Sequence, residues 1–158
     1  MKENQQNIHP SLLDRLIDNE PGISHEPVQY RLTTFRQVKG AVGRDLENLL
    51  NTKNYVSSLC SEYQELSSSL FVYGLQDFTS ANPKSPSVRH QLRQELAKAI
   101  AQFEPRLRNV TVRVEEQGAD LRNLRFKINA LLFLDPGTEP VTFDTFFDVN
   151  RCEYSIPK

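Results

Sequence analysis

No stretch of this 158-residue sequence approaches the roughly 18 consecutive apolar residues that a membrane-spanning helix needs. Charge of either sign is also not in excess. Nineteen basic and twenty acidic residues leave a formal net charge of -1, and no basic patch carries interleaved aromatics. A field that weak excludes electrostatic capture of nucleic acid or of an anionic membrane surface. Cysteine is scarce: Cys60 and Cys152 lie far apart, and neither is near a histidine in the sequence. Two such thiols are expected free, with no metal-ligand spacing. The three histidines fall in the N-terminal lead (His9), a loop (His25) and a helix surface (His90). There is no glycine-rich phosphate loop and no G-x-S-x-G turn, so no nucleophile or phosphate chemistry is indicated. Residues 1–7 are polar throughout and lack the apolar core of a signal peptide, so a cytoplasmic location is expected.

What is present is a helical half followed by a strand half. After a polar lead, Ser11 is placed to cap a short helix whose Leu12, Leu13, Leu16 and Ile17 share a face. It is too short to stand alone. Turn chemistry at 19–22 ends it, and Glu26-Pro27 prolongs the loop. Leu32, Phe35, Val38, Val42, Leu46, Leu49 and Leu50 then recur at steps of three and four, predicting a helix from about Thr34 to Leu50. Gly40 and Gly43 inside it imply close packing, and Asn51 is placed to end it in the left-handed conformation. Residues 54–69 read as loop with one helical turn, and 70–75 as an apolar segment tucked under the core. Ser87 is the expected cap of a second long helix, with Val88, Leu92, Leu96, Ala99, Ile100 and Phe103 inward.

That helix meets Phe103-Glu104-Pro105-Arg106-Leu107, the hinge of the chain. Pro105 fixes its own φ and pushes Glu104 out of the α region, so the helix must stop there. Glu104 lies at the negative end of the helix dipole, and Arg106 is placed to offset it. Spacing alone reads this as a solvated ion pair, although a rigid charged corner offered to a partner fits it too. Beyond the hinge, Val110, Val112 and Val114, then Leu124 to Leu132, then Phe143 to Val149 alternate with polar residues, and Cys152, Tyr154 and Ile156 extend the last run. Turns are expected at 116–120 and 135–137. The expected fold is α+β, with N-terminal helices packed on one face of a C-terminal antiparallel sheet of three to four strands. Residues 1–27 would form an arm with a short helix, and 28–158 a single domain. An apolar last strand at the sheet edge would invite pairing with another chain.

Three segments together resemble one family. Arg44-Asp45-Leu46-Glu47-Asn48-Leu49-Leu50-Asn51-Thr52 is similar to its helix end. Tyr73-Gly74-Leu75-Gln76-Asp77-Phe78 resembles its Tyr-Gly-Leu-x-Asp element, and Phe103 to Leu107 its signature corner. The family is that of the baseplate wedge proteins of contractile tails, often labelled lysozyme-like; within it the chain is most similar to the TssE-like branch of bacterial type VI secretion systems. Lys53 departs from a usual arginine and Gln76 from a common proline. The resemblance implies a cytoplasmic structural subunit, without enzymatic activity or cofactor, in a baseplate docked at the inner membrane. Implied partners are TssF and TssG in the wedge, TssK, and the TssB–TssC sheath whose polymerisation begins there. Glu104, Pro105 and Arg106 carry over as the protein-binding corner. The alternatives are a peptidoglycan hydrolase using Glu104 as general acid, which lacks a convincing second carboxylate, and a small regulatory binding domain.

Overall fold

A computed structural model describes residues 10–17, 21–23, 33–54, 63, 65–78, 85–115, 123–134, 137–148 and 151–157. The expectations for Leu32, Cys60, His9, His25, Glu26-Pro27, Val149 and the turns at 116–120 and 135–136 lie outside them. Helix α1 (Leu12–Leu16) is capped by Ser11, whose hydroxyl accepts from the Asp14 amide. Helix α2 (Phe35–Asn51) starts on a capping box. Thr34 Oγ1 accepts from the Gln37 amide, and the Gln37 side chain accepts from the Thr34 amide. Its stripe of Val38, Val42, Leu46, Leu49 and Leu50 is buried as the spacing requires. Helix α3 (Pro86–Phe103) begins earlier than expected, with Pro86 as its first residue and Ser85 as its N-cap. Proline at the first helical position sacrifices no hydrogen bond, and its φ is already helical.

The strands β1 (Leu107–Glu115), β2 (Asn123–Leu134), β3 (Gly137–Asp148) and β4 (Glu153–Ser155) form one antiparallel sheet in chain order. The fold is α+β, with the helices N-terminal and a four-stranded sheet C-terminal. Ile128, fully buried, pairs with Val112 on one side and Phe143 on the other. These residues, with Phe126, Ala130, Leu132 and Val141, form one core with the inward faces of α2 and α3. The opposite face is polar: Lys127 reaches Glu115 at 2.9 Å, and Arg125 lies over the Phe146 ring.

The valine alternation of β1 is interrupted. Leu107 and Val112 are both buried, yet an odd separation in a regular strand would put them on opposite faces. The register shifts between Arg108 and Thr111, with Asn109 at φ 53°, and this one-residue bulge brings both inward. Val110 and Val114 are only half-buried. The last strand, β4, lies at the sheet edge as expected, and it pairs with Phe146–Asp148 of β3. Among the described residues, no strand pairs along the same edge of β3 at 137–145.

Asn51 does not close α2 in the left-handed region. It is the last helical residue, and Thr52 is the extended cap. Its side chain is occupied elsewhere: Nδ2 donates to the Tyr154 carbonyl and Oδ1 accepts from the Tyr154 amide, both at 2.8 Å. A primary amide presents the same donor–acceptor pair as a neighbouring strand, so Asn51 substitutes for a further strand beside β4. Of the two helical glycines, Gly43 lies against Phe143 and Ile156, as close packing requires. Gly40 faces open space, so packing does not explain it.

Two substitutions test this framework. Asn51→Ala leaves the Tyr154 amide and carbonyl unpaired and should cost about 1–3 kcal/mol in denaturant unfolding. Thr145 is buried on the core face opposite Phe126, and its hydroxyl has no hydrogen-bond partner among the described residues. The near-isosteric Thr145→Val removes that unpaired group and should raise stability by about 1 kcal/mol in the same measurement.

Candidate functional site

The chain turns sharply where Pro105 dictates. Glu104, the C-cap of α3, leaves the helical region at φ -120° and ψ 80° while its amide still bonds Ile100 O. The Leu107 amide donates to Glu104 O at 3.0 Å, closing a turn with Pro105 in its second position. The Phe133 amide donates to Arg106 O at 2.8 Å, which pins the turn to β2. The corner is therefore fixed by backbone alone before any side chain is considered.

The side chains then lock it. Glu104 is not solvated as spacing alone suggested: it is 5% exposed. Arg106 donates from Nε to Glu104 Oε1 and from Nη2 to Oε2, both at 2.6 Å, in a bidentate pair. The same Nη2 reaches Asp45 Oδ2 at 2.6 Å. Hydrogen bonding to Glu104, reinforced by Asp45, holds the guanidinium protonated against the cost of burial. A carboxylate at a helix C-terminus is unfavourable by itself; here a fixed cation compensates it directly.

Asp45 extends the arrangement into the helices. Its Oδ1 accepts from Arg44 Nε and Nη2 at 3.2 and 3.0 Å, and Arg44 Nη2 donates to Asp14 Oδ1 at 2.7 Å. Glu104, Arg106, Asp45, Arg44 and Asp14 thus alternate in sign along one row that joins α3, β1, α2 and α1. Burial acts to raise the Asp14 carboxyl, but the Ser11 hydroxyl and Arg44 outweigh it and hold Asp14 below its ordinary value. Burial, and then the charges of Asp45 and Glu104, push the Tyr73 hydroxyl up.

The Tyr73-Gly74-Leu75 segment packs against the C-terminal end of α2. Lys53 and Leu75 form a parallel bridge, with the Leu75 amide donating to Thr52 O and the Asn54 amide to Leu75 O. Gly74 has φ 108°, and a Cβ there would lie 2.4 Å from Thr52 O, so only glycine permits this approach. Tyr73 meets Phe103 edge-on at 5.1 Å between centroids. Lys53, in place of the usual arginine, still pairs with Asp77 at 3.5 Å. The run at 70–75 is buried only in part: Leu75 is inside, whereas Leu70 and Phe71 are 80% and 58% exposed. Residues 70–72 form a 3-10 turn, which aims successive side chains roughly 120° apart, so the whole run cannot face one core.

All three sequence segments therefore meet at one place. A family model described as "Baseplate wedge protein gp25" matches residues 36–137, which span all three. The chain belongs to this baseplate wedge family. It is a structural baseplate protein. The wedge-family match begins inside α2 and so leaves α1 outside it. Among solved structures, the chain is similar to one from "The baseplate complex from the type VI secretion system", at 22% identity and a TM-score of 0.48. That alignment covers 70% of this chain and 94% of the other. No curated protein matches it.

Sequence reasoning placed Glu104 and Arg106 together but missed Asp45 and Asp14 as their relay. Arg44 and Asp45 did carry a signal, an adjacent opposite-charge pair set between stripe positions Val42 and Leu46. Asp14 carried none, because only the tertiary fold brings α1 to α2. Pro105 is exposed at the tip of the corner. Among the described residues, no cluster of histidine, cysteine or carboxylates could hold a metal. Replacing Glu104 with glutamine sets an amide donor against the Arg106 fork. Glu104→Gln should lower unfolding free energy by about 2–4 kcal/mol, read from the denaturant midpoint.

Proposed function

We propose that this wedge-family chain is the TssE-like subunit of a type VI secretion baseplate, and that it acts by docking rather than by catalysis. The assignment to type VI secretion rests on the three sequence segments. The docking role rests on one observation: a backbone-fixed turn with Pro105 exposed at its tip, backed by a buried ion-paired base. A rigid projection of this kind loses little conformational entropy on binding. Pro105 and the accessible side of Arg106 meet the wedge partners TssF and TssG, and Glu104 holds Arg106 in place. Association with TssK follows through the wedge, in the cytoplasm at the inner membrane. The edge of β3 at 137–145 is the site where the first TssB–TssC sheath strand adds by β-augmentation.

A hydrolase role for Glu104 fits poorly with this geometry. Both oxygens of Glu104 accept hydrogen bonds from Arg106, so neither is directed at a cleft that could take a glycan. A general acid must reach the leaving-group oxygen of its substrate. As an independent regulatory domain, the chain would not associate with wedge subunits at all.

Pro105→Asp tests docking without touching the ion pairs. The variant should fold with an unchanged circular dichroism spectrum and only a small fall in melting temperature, of the size that loss of one proline at a compatible turn gives, because the backbone hydrogen bonds of the turn remain. It should lose co-purification with TssF and TssG, corresponding to at least about tenfold weaker binding. Unchanged co-elution of the folded variant would place the contact elsewhere on the molecule.

A further inference from the structure

Helix α1 is held in an unusual way. It is five residues long and buries none of them; Leu12 and Leu16 are 77% and 82% exposed. Leu13 and the cap residue Ile17 are partly covered, at 52% and 40% exposed, but no side chain of α1 enters the core, so apolar burial gives this short helix only a weak hold. Among the described residues, a polar link ties it to the body: Ser11 binds Asp14, and Asp14 binds Arg44. Arg44 is not free to serve Asp14 alone, because its Nη2 is shared with Asp45, and Asp45 in turn is shared with Arg106.

We infer that Asp45 is a positioning residue that couples the N-terminal helix to the Glu-Pro-Arg corner, so that the hold on α1 depends on where Arg106 is. The physical reason is competition. With Arg106 on its Oδ2, Asp45 offers only Oδ1 to Arg44, and Arg44 retains a donor for Asp14. With Arg106 withdrawn, the full charge of Asp45 turns to the adjacent Arg44 and draws it from Asp14. Loss of Arg106 also removes a positive charge that favours the Asp14 carboxylate directly. Both effects act in the same direction and loosen α1. A partner that pulls Arg106 outward at the corner therefore releases the leucine face of α1 from its present position. The functional meaning of the coupling rests on the corner being a docking element; the coupling itself does not.

Hydrogen exchange on the isolated full chain separates the two. The probes are the amides of Arg15 and Ile17, bonded to Ser11 O and Leu13 O, with Ile128 in the core as reference. Asp14→Asn, Asp45→Asn and Arg106→Met should each speed exchange in α1 by about threefold or more, a typical coupling within one charge network, relative to any change at Ile128. The double variant Asp14→Asn/Arg106→Met should add little to either single one, because both break the same row. Arg106→Lys keeps the charge but cannot bridge Glu104 and Asp45 together. It should give the same effect in smaller measure, and decides the matter if Arg106→Met does not fold. Unchanged α1 exchange in the Arg106 variants, multiplying effects in the double variant, or α1 amides without protection in the native chain would each overturn the inference. None of these results bears on co-purification with wedge subunits, which tests the docking role separately.

Discussion

The bidentate pair between Arg106 and Glu104 is the contact on which the arrangement of this molecule depends. It sits where the helical half of the chain becomes the strand half, and it resolves a conflict created by proline. Pro105 forces α3 to end at a carboxylate, against the helix dipole. A guanidinium two residues later removes that penalty, and Asp45 fixes the guanidinium in turn. One cation thus locks a turn that the backbone already sets, and ties α2 to it through Asp45. A buried network of this kind adds little net stability against a well-packed apolar replacement, because desolvation cancels much of the attraction. What it confers is a single geometry, since any member left alone is costly.

The same economy of means appears at the far end of the sheet. Strand β4 is only three residues long, and Asn51 meets the backbone of its middle residue with both ends of a side-chain amide. This ties the C-terminal end of α2 to the last strand, much as Asp45 ties its middle to the first. The long helix therefore adds polar contacts at two points to the apolar stripe that packs it on the sheet. Both polar points fall in the single run from Arg44 to Thr52, one of the three segments through which the family resemblance was visible.

A structural baseplate role agrees with what the site lacks as much as with what it has. The charges at the corner are used on one another. Each carboxylate oxygen of Glu104 and Asp45 faces a guanidinium. Gly74 serves the same end: its backbone lies so close to Thr52 that the Tyr73 ring is delivered beside the corner and against Phe103.

Local and periodic features were legible in the sequence because short-range sterics and hydrophobic period set them. The stripe from Val38 to Leu50, the capping by Ser11, the stop at Pro105 and the alternation of β3 from Val141 to Thr145 appear as read. So does the α+β order of helices before sheet. Features that depend on partners distant in sequence were not legible. The bulge at Asn109 follows from the need to bury Leu107 and Val112 together, which requires knowing the core. Asn51 reads as a helix terminator until Tyr154 is beside it. Glu104 and Arg106 read as a solvated pair because burial is a property of the assembled fold, and only the packing of α2 against the corner supplies Asp45. The sequence by itself determined the kind and order of the elements, because hydrophobic period and proline sterics act locally; the tertiary structure alone decided which charges meet and lose their water, because burial needs partners distant in the chain.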